Sequence, residues 1–119
     1  MYKYTIFCTE EQTKKALELG APIDKDMYAP IIRYEQPWYC IDKEKSFAYH
    51  IPTAEQMIGW LRSKGFRFKI TEFEEGTLWK VAHGDWFDFS YNDGISPKEA
   101  TLAAIDAALG YLMSLHHDF

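Results

Sequence analysis

Apolar and polar positions repeat at two different periods along this chain, and each change of period marks an element. The longest apolar pattern lies at the C-terminal end. Ser96-Pro97-Lys98-Glu99 is a helix start: Ser96 suits the cap, Pro97 the first helical position, and Glu99 can reach back three residues. The residues after it are apolar around most of a helical circumference, and only Thr101, Asp106, Gly110 and Ser114 interrupt them. The pattern predicts a helix over 96–116 that is mostly covered by protein. In this reading the alanines admit a close sheet, while Leu102, Ile105, Leu109 and Leu112 form a bulky ridge.

Two further helices announce themselves by their caps. Thr9-Glu10-Glu11-Gln12 and Thr53-Ala54-Glu55-Gln56 both have the capping-box form, and Gly20 and Gly65 end the two helices. The first opens a helix over 10–19 with a thin apolar stripe, which belongs at the periphery. The second opens a helix over 53–64 that presents Met57, Ile58, Trp60 and Leu61. Gly59 and Gly110, inside helices, are expected to mark close helix packing.

Period-two alternation fills much of the remainder. Tyr2, Tyr4, Ile6 and Cys8 form a short strand pattern, and 31–34 an extended piece after a proline-containing loop over 21–30. Trp38-Tyr39-Cys40-Ile41 and Phe47-Ala48-Tyr49-His50-Ile51 flank a charged tetrad and predict a hairpin. Phe66, Phe68 and Ile70 alternate with Arg67, Lys69 and Thr71. Glu74-Glu75-Gly76-Thr77 is a turn in which Gly76 is expected to be left-handed. Leu78 to His83 returns, Gly84-Asp85 makes a two-residue hairpin turn, and Trp86 to Tyr91 comes next.

That turn sets a register. Leu78, Lys80, Ala82, Phe87, Phe89 and Tyr91 share one face; Trp79, Val81, His83 and Trp86 share the other with Asp88 and Ser90. Both faces carry large rings, which a sheet with one solvated side does not need. Either helices cover both faces or one face meets a partner.

The fold expected is therefore α+β: a single domain over 1–119, a mainly antiparallel sheet, main helices at 53–64 and 96–116, and a peripheral helix at 10–19. The half over 1–51 is the more irregular; 52–116 reads as helix–strand–strand–strand–helix.

Composition changes this picture in two respects. Aromatic residues make up 17% of the 119 positions, a surplus that a thick core or a sticky face must absorb. Trp38, Tyr39, Tyr49, Trp79 and Trp86 are the candidate interaction residues, because Trp and Tyr dominate binding hot spots; Tyr28, Tyr34 and Phe47 add to the same surplus. The net charge of −5 is also uneven. Residues 1–71 hold 11 Lys and Arg against 9 Asp and Glu, net +2, and 72–119 hold 2 against 9, net −7. An acidic C-terminal third argues against broad contact with a phosphate backbone. The helix–three-strand–helix order matches the double-stranded RNA-binding fold, but the last helix opens with a single lysine, so nucleic acid is not expected. The basic cluster Arg62, Lys64, Arg67 and Lys69 reads as a solvated helix end and strand face.

No apolar run reaches the length of a membrane span, and Met1 to Thr5 does not resemble a secretory signal, so a cytoplasmic protein with reduced Cys8 and Cys40 is expected.

Candidate chemistry is sparse. His83, Asp85 and Asp88, with His116, His117 and Asp118 at the far end, are the residue types that hold Zn, Mn or Fe. Yet Gly84-Asp85 already has a turn to make, and histidines suit a helix C-terminus. No metal or other cofactor is favoured. Cys40 and His50 lie on facing strands of a hairpin, where Cys40 is more often a small buried hydrophobe. Glu72, Glu74 and Glu75 gather at a turn, and no glycine-rich phosphate loop is present.

The chain from Pro52 onward resembles small phage and prophage proteins of the phage α/β-sandwich type. The resemblance rests on Pro52-Thr53 before a helix with Trp60-Leu61, a hairpin with Trp79, and a terminal Pro97-x-Glu99-Ala100 helix; Cys8-Thr9-x-x-Gln12 to Leu19-Gly20 is also similar to small phage-borne proteins of gut bacteria. It implies a fold and a mobile-element origin and assigns no activity. The function expected is a non-catalytic phage or mobile-element accessory or protein-interaction protein, with a protein partner or homo-oligomer. The alternatives are a small metal-dependent hydrolase using His83, Asp85 and Asp88, and an acidic inhibitor that mimics nucleic acid.

Overall fold

The computed structural model describes residues 6–23, 38–42 and 47–117, with only the backbone described at 38–42, 47–50, 92 and 116–117. The extended piece expected at 31–34, most of the loop before it, and Asp118 lie outside the described residues. The fold is α+β, in the order α1 (Glu10–Glu18), β1 (Trp38–Asp42), β2 (Phe47–His50), α2 (Ala54–Ser63), β3 (Arg67–Glu72), β4 (Gly76–His83), β5 (Trp86–Asp93) and α3 (Pro97–His117). The chain divides into two compact units, Met1–Trp60 and Leu61–Phe119.

In the first unit both expected capping boxes form. Thr9 Oγ1 accepts from Gln12 N–H at 3.0 Å and Gln12 Oε1 accepts from Thr9 N–H at 3.0 Å. Thr53 and Gln56 repeat the exchange at 3.1 and 2.9 Å. Each box satisfies two backbone donors that a helix start otherwise leaves open. The α1 helix closes with paired bonds from Gly20 N–H to Leu17 O and from Ala21 N–H to Ala16 O, the double bond of a glycine-terminated helix. Its buried residues are Gln12, Thr13 and Ala16, a thin and partly polar stripe. The strand expected around Ile6 and Cys8 reduces, among the described residues, to one bridge from Phe7 to Thr53. It is flanked by Cys8 N–H to Pro52 O and Ala54 N–H to Ile6 O. The chain there pairs with a helix start, which offers no second ladder rung. The predicted hairpin is present: β1 and β2 are antiparallel, with Trp38 opposite His50, Tyr39 opposite Tyr49, and a bulge between Cys40 and Asp42.

The second unit carries β3, β4 and β5 as an antiparallel sheet in that order. Gly84 has φ of +60°, the left-handed residue that the two-residue turn demands, and His83 pairs with Trp86 across it. The register is the expected one. Leu78 faces Tyr91, Lys80 faces Phe89, and Ala82 faces Phe87, while β3 adds Thr71, Lys69 and Arg67 beside them. One turn differs. Gly76, expected as a left-handed turn residue, is instead the buried first residue of β4, because Phe73 N–H donates to Gly76 O at 2.8 Å and closes the turn one residue earlier.

The α3 helix packs on β4 and β3. Ala100, Ala104, Ile105, Ala108 and Leu109 are fully buried against that face, whose own buried residues include Thr77, Trp79 and Val81. Leu102 and Leu112, expected on the ridge, are half-buried flanks, and the stripe Asp106, Gly110 and Ser114 is exposed at a spacing of four. Ser96 Oγ accepts from Glu99 N–H at 3.1 Å, while Glu99 reaches the Ser96 hydroxyl rather than its backbone. Thr77 Oγ1 donates to Ile95 O and ties the approach to α3 to the sheet. The close packing expected at Gly59 and Gly110 is not there: a methyl group added at either meets nothing within 4 Å.

Candidate interaction surface

The two faces of the β3–β4–β5 sheet are built from alternate residues of the same three strands, since side chains alternate along a strand. On the helix-covered face a ring cluster closes one end. Trp86 stacks on Tyr111 with centroids 4.4 Å apart and planes 12° apart. Phe66 meets both edge-on, at 6.2 and 6.1 Å. His83 lies 4.7 Å from Phe66 and 5.5 Å from Tyr111. Its Nε2 is 2.9 Å from Lys64 O, and a carbonyl only accepts, so Nε2 carries a proton. His83 thus satisfies the carbonyl of Lys64, just past the end of α2. Gly65 beside it has φ of +98°, and a Cβ there would come within 3.3 Å of His83 Nε2.

On the opposite face the large rings are exposed. Phe87 is 66% exposed, Phe89 56%, Phe73 51% and Tyr91 43%. Phe87 and Phe89 lie side by side with planes 12° apart, and Phe73 meets Tyr91 edge-on at 5.8 Å. Between the strands Leu78 and Ala82 are half-buried. Of the large hydrophobic residues exposed among the described residues, only Leu115 lies elsewhere.

This face is also divided by charge. Following the register, Arg67 lies beside Ala82 and Phe87, and Lys69 lies directly opposite Lys80, beside Phe89. A hollow of about 280 Å³ there is lined by Arg67, Lys69, Lys80, Ala82 and Phe87, with Phe68, Val81 and Asp88. Toward the other end come Thr71, Leu78 and Tyr91, then Phe73, Gly76 and Asp93, with Glu74 and Glu75 in the turn. A larger hollow of about 560 Å³ is lined there by Phe73, Glu74, Glu75, Leu78 and Tyr91. The Tyr91 hydroxyl is held above its ordinary pKa of 10.0, first by its hydrogen bond to Asp93, then by partial desolvation and the negative charges of Asp93 and Glu75.

Two of the sequence-predicted interaction residues lie off this face. Trp79 is buried at 7% exposure under α3, and Trp86 is half-buried against Tyr111. Trp38, Tyr39 and Tyr49 are strand positions whose side chains lie outside the described residues. The exposed rings are Phe73, Phe87, Phe89 and Tyr91. Alternation puts the last three on one face, but nothing in their residue types marks them above the tryptophans. The signal that separates the faces is the sign and place of the charge. The cations Arg67, Lys69 and Lys80 fall on the open side, Lys80 in the central strand, while the other side has Thr77, Trp79 and Val81 in the central strand and its acids, Glu72 and Asp88, on the outer strands.

The candidate metal residues do not converge. His83 is bonded to Lys64 O, Asp85 is exposed in the turn, and Asp88 accepts from Phe89 N–H at 2.9 Å. Among the described residues no group of three His, Cys, Asp or Glu side chains is arranged to hold a metal ion. Cys8 is buried, its thiol directed at Thr53 O at 3.8 Å. No helix among the described residues is long and apolar enough to cross a membrane. No family model, curated protein or solved structure compared with this chain matches it.

Proposed function

We propose that this is a non-catalytic protein-interaction protein whose binding surface is the open face of β3, β4 and β5. The observation that carries the reading is the placing of Phe73, Phe87, Phe89 and Tyr91, four exposed rings on one continuous sheet face. Contiguous exposed apolar surface on a soluble protein marks contact with another molecule. Rings flanked by charge are the composition of a binding hot spot with a polar rim. A cytoplasmic accessory role in a phage or mobile element is the setting that the sequence resemblance supports, and the buried Cys8 thiol suits a reducing compartment.

The test is photochemical. Benzoylphenylalanine replaces Phe87 in the full chain, and the producing cells are irradiated. The reading expects a protein adduct of discrete higher mass that is lost when Phe89→Asp is added. A chain that remains unadducted, with or without that second change, would overturn it.

A further inference from the structure

Resting on that reading, we infer that the occupant of the open face is a second copy of the same chain, seated face to face about a two-fold axis that runs across the strands. The argument is the division of charge. One end of the face carries Arg67, Lys69 and Lys80; the other carries Asp93, with Glu74 and Glu75 in the adjoining turn. Asp88 also lines the basic hollow and Asp85 lies in the Gly84 turn, so the three cations there are only partly offset within the chain. A surface with opposite charges at its two ends is complementary to itself once turned end for end. A two-fold axis across the strands lays the basic end of each copy over the acidic end of the other, and an axis along the strands would lay like on like. Charge therefore selects one of the two ways in which the face can meet itself, and two-fold pairing is the commonest form of self-association.

A second observation points to an anionic group over the basic end. Lys69 and Lys80 are directly opposite in the register. Like charges placed so are unfavourable in an isolated sheet by roughly the few tenths to 1 kcal/mol that cross-strand pairs are worth. Carboxylates from a second copy turn that repulsion into attraction. An axis over the Thr71–Leu78–Tyr91 row brings Lys69 and Lys80 of each copy to the Asp93 end of the other, Arg67 and Phe87 to the Glu74–Glu75 turn, and Tyr91 to Tyr91. Three strands about 4.8 Å apart and seven residues long present on the order of 350 Å² of sheet. That is less than half the ~800 Å² that each partner of a standard complex buries. The pair is accordingly weak, and it forms and dissociates with concentration.

Sedimentation equilibrium on the full chain tests this, over concentrations from about 1 to 500 μM at low salt. Self-association to a dimer is expected. Lys69→Glu with Lys80→Glu gives a face acidic at both ends, and Glu74→Lys with Glu75→Lys gives one basic at both ends. Each variant alone should dimerise at least about tenfold more weakly, whereas an equimolar mixture of the two should regain the dimer. Phe87→Asp in either partner should abolish the regained dimer. All four charge positions are exposed, and far-ultraviolet circular dichroism checks that the variants fold. A wild-type chain that stays monomeric throughout, or a dimer indifferent to the charge exchange, would overturn the proposal. A monomer that still gives an adduct of foreign mass at position 87 would overturn self-pairing and leave the interaction reading standing. Binding of a single-stranded oligonucleotide that is lost in Lys69→Glu with Lys80→Glu, with no dimer present, would overturn both.

Discussion

The two faces of the β3–β5 sheet have similar raw material and opposite fates. One carries Trp79, Val81, Trp86 and His83, and α3 lies over it until Ile105 and Leu109 are fully buried. The other carries Phe87, Phe89, Tyr91 and Phe73, with nearly half to two-thirds of each ring exposed. Ring content does not decide which face a helix covers. What distinguishes them is the company that the rings keep. The covered face has its charges, Glu72 and Asp88, exposed on the outer strands and offers Thr77, Trp79 and Val81 in its central strand, whereas on the open face Lys80 stands in the central strand beside Arg67 and Lys69. Burying those three cations under an apolar helix would cost far more than burying the rings returns. That cost accounts for α3 lying on the other face, and the occupant proposed above would bring opposite charge.

This contrast makes large differences between substitutions that look alike. The greatest effect belongs to the covered side: Leu109→Ala removes a fully buried side chain and should lower unfolding free energy by about 2–5 kcal/mol, measured by urea denaturation. Tyr111→Ala, which removes the stacking partner of Trp86, should cost about 1–3 kcal/mol by the same measurement. At the other extreme, Phe87→Ala deletes a larger side chain than Leu109→Ala, yet should change stability by no more than about 0.5 kcal/mol when measured at low concentration. A loss comparable to that of Leu109→Ala would erase the distinction between the faces.

Two smaller effects sharpen it. Gly110 lies on the exposed stripe of α3 with open space around it, so Gly110→Ala should raise stability by about 0.5–1 kcal/mol through helix propensity alone. On the open face, Asp93→Asn should bring the Tyr91 pKa down toward 10.0, read from the tyrosinate absorbance during alkaline titration. The sign comes from linkage. A raised folded pKa means that the neutral hydroxyl is favoured in the native protein. The associated stability is complete below pH 10 and is lost as pH rises through the folded value.

Local signals are the legible part of the sequence. Thr9-Gln12 and Thr53-Gln56 name their helices because a capping box is a contact between residues three apart, with no distant partner needed. The Gly84-Asp85 turn fixes the whole β4–β5 register, since a two-residue loop leaves no freedom in the pairing. The part that stays open is long-range. Gly59 and Gly110 look like packing glycines, and only the surroundings of each show that nothing approaches. Trp79 and Trp86 look like binding residues by type, yet α3 occupies their side of the sheet. The metal-site residues show the same limit: His83 meets Lys64 O, a contact between residues 19 apart that no spacing announces, and among the described residues no three His, Cys, Asp or Glu side chains gather around it.

The claim that the open rings are held for a partner is tested most directly by adding a water-soluble nitroxide to dilute, isotope-labelled protein and recording aromatic nuclear magnetic resonance signals. The account predicts strong broadening at Phe73, Phe87, Phe89 and Tyr91, with Phe66 and Trp79 protected, and fading of the open-face broadening as concentration rises and copies pair. Equal protection of Phe87 and Phe66 at the lowest concentration would contradict it, because the chain itself would then already cover the face.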